Sequence, residues 1–320
     1  MTIKADDNPF QPGAGHVPEP LLGRDKETEL LTLVLNRLAS PRAGFRGALA
    51  KTPYSPVRIV GPRGLGKTAL LGWAEKQAKK RGIRCVSCEG LKSNEEGHTM
   101  HELLANVSIV PRLLQRLKGG KVDVPGKVGA GVELDQSRPG FASVAGLALW
   151  FKPLLLLLDE VQSYEMSLLR EVLLGSQRLI SDGYPLGLVL AGTPGLDSHL
   201  AKAEATFITR SKHIYINTLS DAATRAALQK PFEQEKITVA PEALEAMAAQ
   251  TDNYPFFIQL VGGETWNELA RSGRKEVDVE LVGRIEKQAR EGREEIYAEA
   301  FDRIANNNLL PQARQVMEAS

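Results

Sequence analysis

An apolar run, Val57 to Val60, gives way to Gly61-Pro62-Arg63-Gly64-Leu65-Gly66-Lys67-Thr68, and helical spacing follows from Ala69 to Arg81. Few folds accommodate that order. A strand must end, the chain must turn through glycines, and a helix must begin at once. Glycine adopts backbone angles that other residues resist, so loop N–H groups can converge on one point. The new helix adds partial positive charge there. The spacing G-x-x-x-x-G-K-T therefore fits a cradle for a triphosphate. Gly61, Pro62, Arg63, Gly64, Leu65, Gly66, Lys67, Thr68 and Ala69 would surround it. Lys67 would reach the β and γ phosphates, and the Thr68 hydroxyl would ligate Mg²⁺.

Such a cradle needs an acidic partner, and Leu154-Leu-Leu-Leu-Leu158-Asp159-Glu160 supplies one. Unbroken apolarity without alternation predicts a central parallel strand covered on both faces. Two carboxylates then emerge at its C-terminal end, the edge where open α/β sheets bind ligands. Asp159 would hold Mg²⁺ and Glu160 would act as general base toward water. A helix cap is the plainer alternative for the same pair. The guanine-reading pattern N-K-x-D is absent, which disfavours a GTPase.

Further strands are expected at Ile83 to Cys88, Leu186 to Ala191 and His213 to Ile216, separated by helical segments. The fold class is therefore α/β, a three-layer parallel P-loop NTPase sheet, followed by a small all-helical lid domain. Residues 1–20, rich in Pro and Gly, read as a flexible lead-in. Residues 21–217 form the nucleotide-binding core. Within it, residues 121–134 alternate partly and read equally well as a β-hairpin insertion or a loop. Residues 218–306 form the helical domain, with Ser220-Asp221 as a cap and Pro241 and Pro255 at helix starts. Because that domain follows the whole sheet, a small-molecule kinase with an inserted lid is also disfavoured.

Composition excludes several other classes. The 320 residues carry a formal net charge of +1, which makes no electrostatic case for nucleic acid or a membrane surface. Cys85 and Cys88 lie in or beside a strand without the further ligands a zinc site needs, so small apolar side chains are the better reading. The five histidines show no ligand cluster. The first twenty residues hold no apolar core of a secretory leader, and the most apolar stretch, Phe141 to Leu158, is broken by Lys152-Pro153. A cytoplasmic protein is expected.

Together these motifs resemble the AAA+ ATPases, most closely the initiator-like, origin-recognition branch and bacterial ATP-binding proteins of that type. The resemblance covers roughly residues 20–306. Gly61 to Thr68 matches Walker A, and Leu154 to Glu160 matches Walker B. Leu22-Gly23-Arg24-Asp25 is similar to the entry motif, which implies that Gly23 and Arg24 lie near the adenine. Val189 to Leu196 resembles the sensor-one segment, which implies that Thr193 bonds the γ-phosphate or the water; a capped strand-to-helix turn is the alternative. Arg210 stands where the family carries its arginine finger, which implies a homo-oligomer with Arg210 acting in trans. A surface arginine is the other reading. Asn253 to Gln259 resembles the lid segment without its usual arginine. Tyr254 and Pro255 there would pack on the base, or simply start a helix. Residues 307–320 resemble the opening of a winged-helix domain.

The expected activity is hydrolysis of MgATP to ADP and phosphate, coupled to oligomerisation or to the handling of a protein partner or DNA. DNA enters by resemblance only. The alternative is a slowly hydrolysing, nucleotide-gated interaction switch.

Overall fold

The computed structural model describes residues 3–13, 17–40, 55–91, 99–107, 140–149, 152–203 and 206–306. The segment 121–134, read as a hairpin or a loop, and the segment 307–320 lie outside them. The chain divides into two compact units, one of Arg24–Asn217 and one combining Met1–Gly23 with Thr218–Ser320.

The first unit is built on five strands: β1 Val57–Val60, β2 Arg84–Glu89, β3 Leu154–Asp159, β4 Leu186–Gly192 and β5 Lys212–Tyr215. Their order across the sheet is β2-β3-β4-β1-β5, and every pairing is parallel. All positions of β1, β3 and β4 are buried, as their continuous apolar runs require. Side chains alternate between the faces. Leu154, Leu156 and Leu158 join a core with helices α3 Met100–Val107, α4 Phe141–Leu149 and α5 Met166–Ser181. On the other face Gly187 lies against Leu38 of α1 Asp25–Ala39, where a Cβ would come within 2.6 Å of Leu38 Cδ1. The helix that follows the phosphate loop, α2 Lys67–Lys80, packs with α1. It ends before Gly82, which adopts the left-handed conformation (φ 70°) common just past helix C-termini.

Topology positions the site. The chain runs from β1 to β2 across two strand positions and later returns to place β5 on the other side of β1. Consequently the C-terminal ends of β3, β4 and β1 lie side by side, with Val60 opposite Gly192 and Leu158 opposite Leu190. That reversal of strand order is where open α/β sheets leave a crevice.

The second unit contains α7 Asp221–Gln234, α8 Pro241–Ala249, α9 Pro255–Ser272 and α10 Val279–Asn306. Ser220 caps α7 by accepting the Ala223 N–H at 3.3 Å. Two features depart from expectation. The unit is not purely helical, because β6 Thr238–Val239 pairs in parallel with β7 Glu276–Val277. Moreover, α7 runs through Pro231, a residue type that usually ends a helix. An interior proline costs about 3 kcal/mol. Continuing the helix keeps Leu228 and Phe232, both fully buried, on one face, and burial of two large side chains offsets that cost.

Residues 3–13 also differ from the free lead-in their composition suggested. Phe10 is buried, its ring 5.2 Å from Phe232, which in turn lies 5.9 Å from Trp266. Asn8 donates to Gly263 O at 3.1 Å, and Trp266 Nε1 donates to Lys4 O at 2.9 Å. Proline and glycine signal irregular backbone, and irregular backbone can still be pinned by one aromatic anchor. Phe10→Ala should therefore destabilise the helical unit by about 3–5 kcal/mol, measured as a lower urea midpoint. A midpoint unchanged from wild type would mean that this segment contributes nothing to the core.

No helix among the described residues is long and apolar enough to cross a membrane.

Candidate functional site

The glycines of the loop are required by space and by backbone angle. A Cβ on Gly61 would meet Ile216 O at 2.8 Å, while Gly64 and Gly66 have φ of 76° and 90°. The Gly61 N–H donates to Gly192 O at 3.2 Å, joining the loop to the end of β4. Gly66 is the N-cap of α2, so the N–H groups of its first turn open toward the loop.

Arg24 holds this loop from beneath. Its guanidinium is buried and Nη2 donates to Leu65 O at 2.9 Å and to Asn217 O at 2.7 Å. Burial pushes its pKa down, and Glu27, 3.6 Å away, acts against that. The side chain assigned to the adenine from the entry motif is thus a brace between two backbone segments.

Lys67 is almost fully buried, and its ammonium folds back over the loop to donate to Gly61 O and Pro62 O, each at 2.9 Å. Desolvation lowers its pKa, and the carboxylates of Glu160 and Asp159 raise it. The Thr68 hydroxyl donates to Asp159 Oδ2 at 2.6 Å. Asp159 is buried, and its Oδ1 accepts the Glu160 N–H at 2.8 Å. One hydroxyl and one carboxylate side by side suit Mg²⁺, which takes few protein ligands and completes its shell with phosphate oxygens and water.

The chain turns abruptly at Glu160, a non-glycine residue in the left-handed region (φ 47°, ψ 44°). Such a conformation costs on the order of 1 kcal/mol and must be held by its surroundings. The Ser163 N–H and hydroxyl both donate to Glu160 O, at 2.8 and 2.7 Å. Tyr164 then anchors the turn to β2 by donating to Cys88 O at 2.7 Å. The Glu160 carboxylate lies 3.9 Å from Arg63 and accepts a hydrogen bond from Gln162 Nε2.

Gln162 escaped the sequence reading. Its Oε1 accepts the backbone N–H of Thr193 at 3.2 Å, so one side chain spans the ends of β3 and β4. The only local signal was a polar residue two positions after the paired acids. Thr193 itself is half-buried, directly after β4 and before α6 Leu196–Lys202.

Arg210 is exposed at the end of a short 3-10 turn, Thr206–Arg210, immediately before β5. The neighbouring Ser211 is fixed by buried Arg58 of β1, whose Nε donates to Ser211 Oγ at 2.5 Å and whose other nitrogens meet Asp197 and His213.

Gly23, Tyr254 and Pro255 belong to the helical unit, where packing accounts for them. Gly23 (φ 68°) approaches Ala223 so closely that a Cβ would lie 2.7 Å from its side chain. Tyr254 precedes α9 and its ring lies 5.1 Å from Phe257, with Pro255 as the first helical residue. Burial pushes the thiols of Cys85 and Cys88 up to about 12 and about 11, the direction for apolar packing in β2.

No protein-family model matches the chain, and no curated protein matches it by sequence. Solved structures do match. The Walker-type ATPase of Pyrococcus abyssi is similar at TM-score 0.59 and 16% identity, over 93% of this chain and 80% of that one. The ORC2 protein of Aeropyrum pernix, solved with ADPNP and ADP, is similar at TM-score 0.56 and 17% identity, over 87% of this chain and 71% of that one. The RuvB Holliday junction branch migration motor of Thermotoga maritima is similar at TM-score 0.53 and 13% identity, over 84% of this chain and 70% of that one. At such identities the likeness is one of fold.

Proposed function

We propose that this chain, which has the fold of the AAA+ P-loop ATPases, binds MgATP and hydrolyses it to ADP and phosphate. One observation supports this above the others. Lys67, the Thr68–Asp159 pair and Glu160 converge where β1 and β3 end beside the phosphate loop.

The roles follow from the groups. The Lys67 ammonium has three donors, two of them engaged with loop carbonyls, and turns to the β and γ phosphates as ATP enters. The loop N–H groups and the first turn of α2 take the remaining phosphate oxygens. Thr68 and Asp159 would hold Mg²⁺, which would supply neutralisation of the phosphate charge. Glu160 accepts a proton from water as its oxygen bonds to the γ-phosphorus, and the bond to the ADP oxygen breaks. Thr193 bonds the γ-phosphate or that water. Arg210, from a neighbouring copy, stabilises the transferring phosphoryl group. Arg24 acts on the nucleotide only indirectly, by bracing the phosphate loop at Leu65 O. The output would be ATP-dependent assembly in the cytoplasm, coupled to a protein partner or DNA.

The absence of an arginine between Asn253 and Gln259 favours the second reading, a slow nucleotide-gated switch. Hydrolysis per chain, measured across chain concentration, separates the two. If Arg210 acts in trans, specific activity should rise with concentration, and Arg210→Ala should remove most of that rise, since a supplied arginine contributes about 10³–10⁵ in rate. Slow turnover at every concentration, with tight ATP binding, would leave the switch. Failure to bind ATP would sink both readings.

A further inference from the structure

We propose that Gln162 is a positioning residue, which aims the Glu160 carboxylate by tying it to the backbone at Thr193; this rests on the reading of Glu160 as general base. The Thr193 N–H can only donate, and it meets Gln162 Oε1. That fixes the direction of the amide. Its NH₂ group must face the other way, where it donates to Glu160 Oε2. A carboxylate there is an acceptor, so both ends of the amide are matched.

Two further features show that the link is built into the fold. Gly192, the last residue of β4, leaves the room it needs: a Cβ at that position would stand 2.6 Å from Gln162 Oε1. The Glu160 backbone is locked by Ser163, so the aim of the carboxylate depends on side-chain contacts. Of these, the Arg63 contact is 3.9 Å long and its guanidinium is more than half exposed, and exposed pairs of that kind fix little. The Gln162 hydrogen bond is the shorter of the two contacts. It makes the base just after β3 answer to the position of the loop after β4, the loop that carries Thr193.

The test is steady-state and binding kinetics on Gln162→Met, a substitution of similar shape that removes both amide functions. Misplacing a reacting group by about 1 Å costs roughly 10²-fold. We expect kcat to fall by about that factor while ATP affinity and KM stay close to wild type. Gly192→Ala, which crowds the amide without removing a polar group, should lower kcat in the same sense. In a Glu160→Gln background, adding Gln162→Met should cost nothing more, because the group it aims no longer takes a proton. A wild-type kcat in Gln162→Met would overturn the proposal, as would losses that multiply in the double variant. Failure of the underlying reading looks different: Glu160→Gln alone would hydrolyse ATP at the wild-type rate, and the proposal would fall with it.

Discussion

Glu160→Gln should lower ATP turnover by about 10²–10⁴-fold, the usual contribution of a positioned general base, while ATP binding survives. The substitution is unusually clean here. Glutamine has nearly the same volume and the same Cβ, so the left-handed backbone at 160 is no more strained than before. The Ser163 bonds that hold the turn use the carbonyl of residue 160 and are untouched. Gln162 can still donate to an amide oxygen at that position. What disappears is the ability to take a proton from water. Single-turnover hydrolysis beside fluorescent-nucleotide binding reads the two quantities separately. Loss of turnover with retained affinity identifies Glu160 as the base. Unchanged hydrolysis would mean that another group activates the water, and the catalytic assignment would be withdrawn.

The parts of this site that are local in the chain were legible in the sequence. The glycine spacing, Lys67 and Thr68 form one loop, and Asp159 and Glu160 end one apolar strand. Their patterns are short and their physical requirements are strict. The continuous leucines of β3 likewise announced a strand buried on both faces. What was missed depends on contacts between distant segments. Gln162 gains meaning only when β4 delivers Thr193 beside it. Arg24 looked like part of a base-binding motif until its guanidinium was found on two carbonyls from other elements. Phe10 was lost in a Pro/Gly-rich stretch because its partners, Phe232 and Gly262, lie more than half the chain away. The same holds for Pro231, where propensity favoured a stop and packing of Phe232 favoured continuation. Local rules described each residue's preferences; tertiary burial decided between them.

Lys67→Met is expected to weaken ATP binding by at least about 30-fold, since truncating one partner of a desolvated charge pair costs roughly 2–5 kcal/mol. Lys67 is the one cation of the phosphate loop that is itself buried, and Met keeps much of its length without its charge. Its effect on the ligand-free protein works in opposing directions. Removing the ammonium relieves the desolvation that lowers its pKa, yet it leaves Asp159 and Glu160 without that nearby positive charge. Gly61 O and Pro62 O also lose a donor. These terms partly cancel, so the ligand-free melting temperature should move little compared with the ligand-dependent shift. A ligand at a hundred times its dissociation constant stabilises the folded state by about 2.7 kcal/mol, and the same concentration after a 30-fold loss of affinity by only about 0.9 kcal/mol. Thermal unfolding with and without MgATP therefore measures the loss directly. Wild type should gain several degrees at saturating nucleotide, and Lys67→Met at the same concentration should gain much less. An equal gain in both proteins would place the phosphates outside the reach of Lys67 and remove the loop from Gly61 to Thr68 as the ATP site.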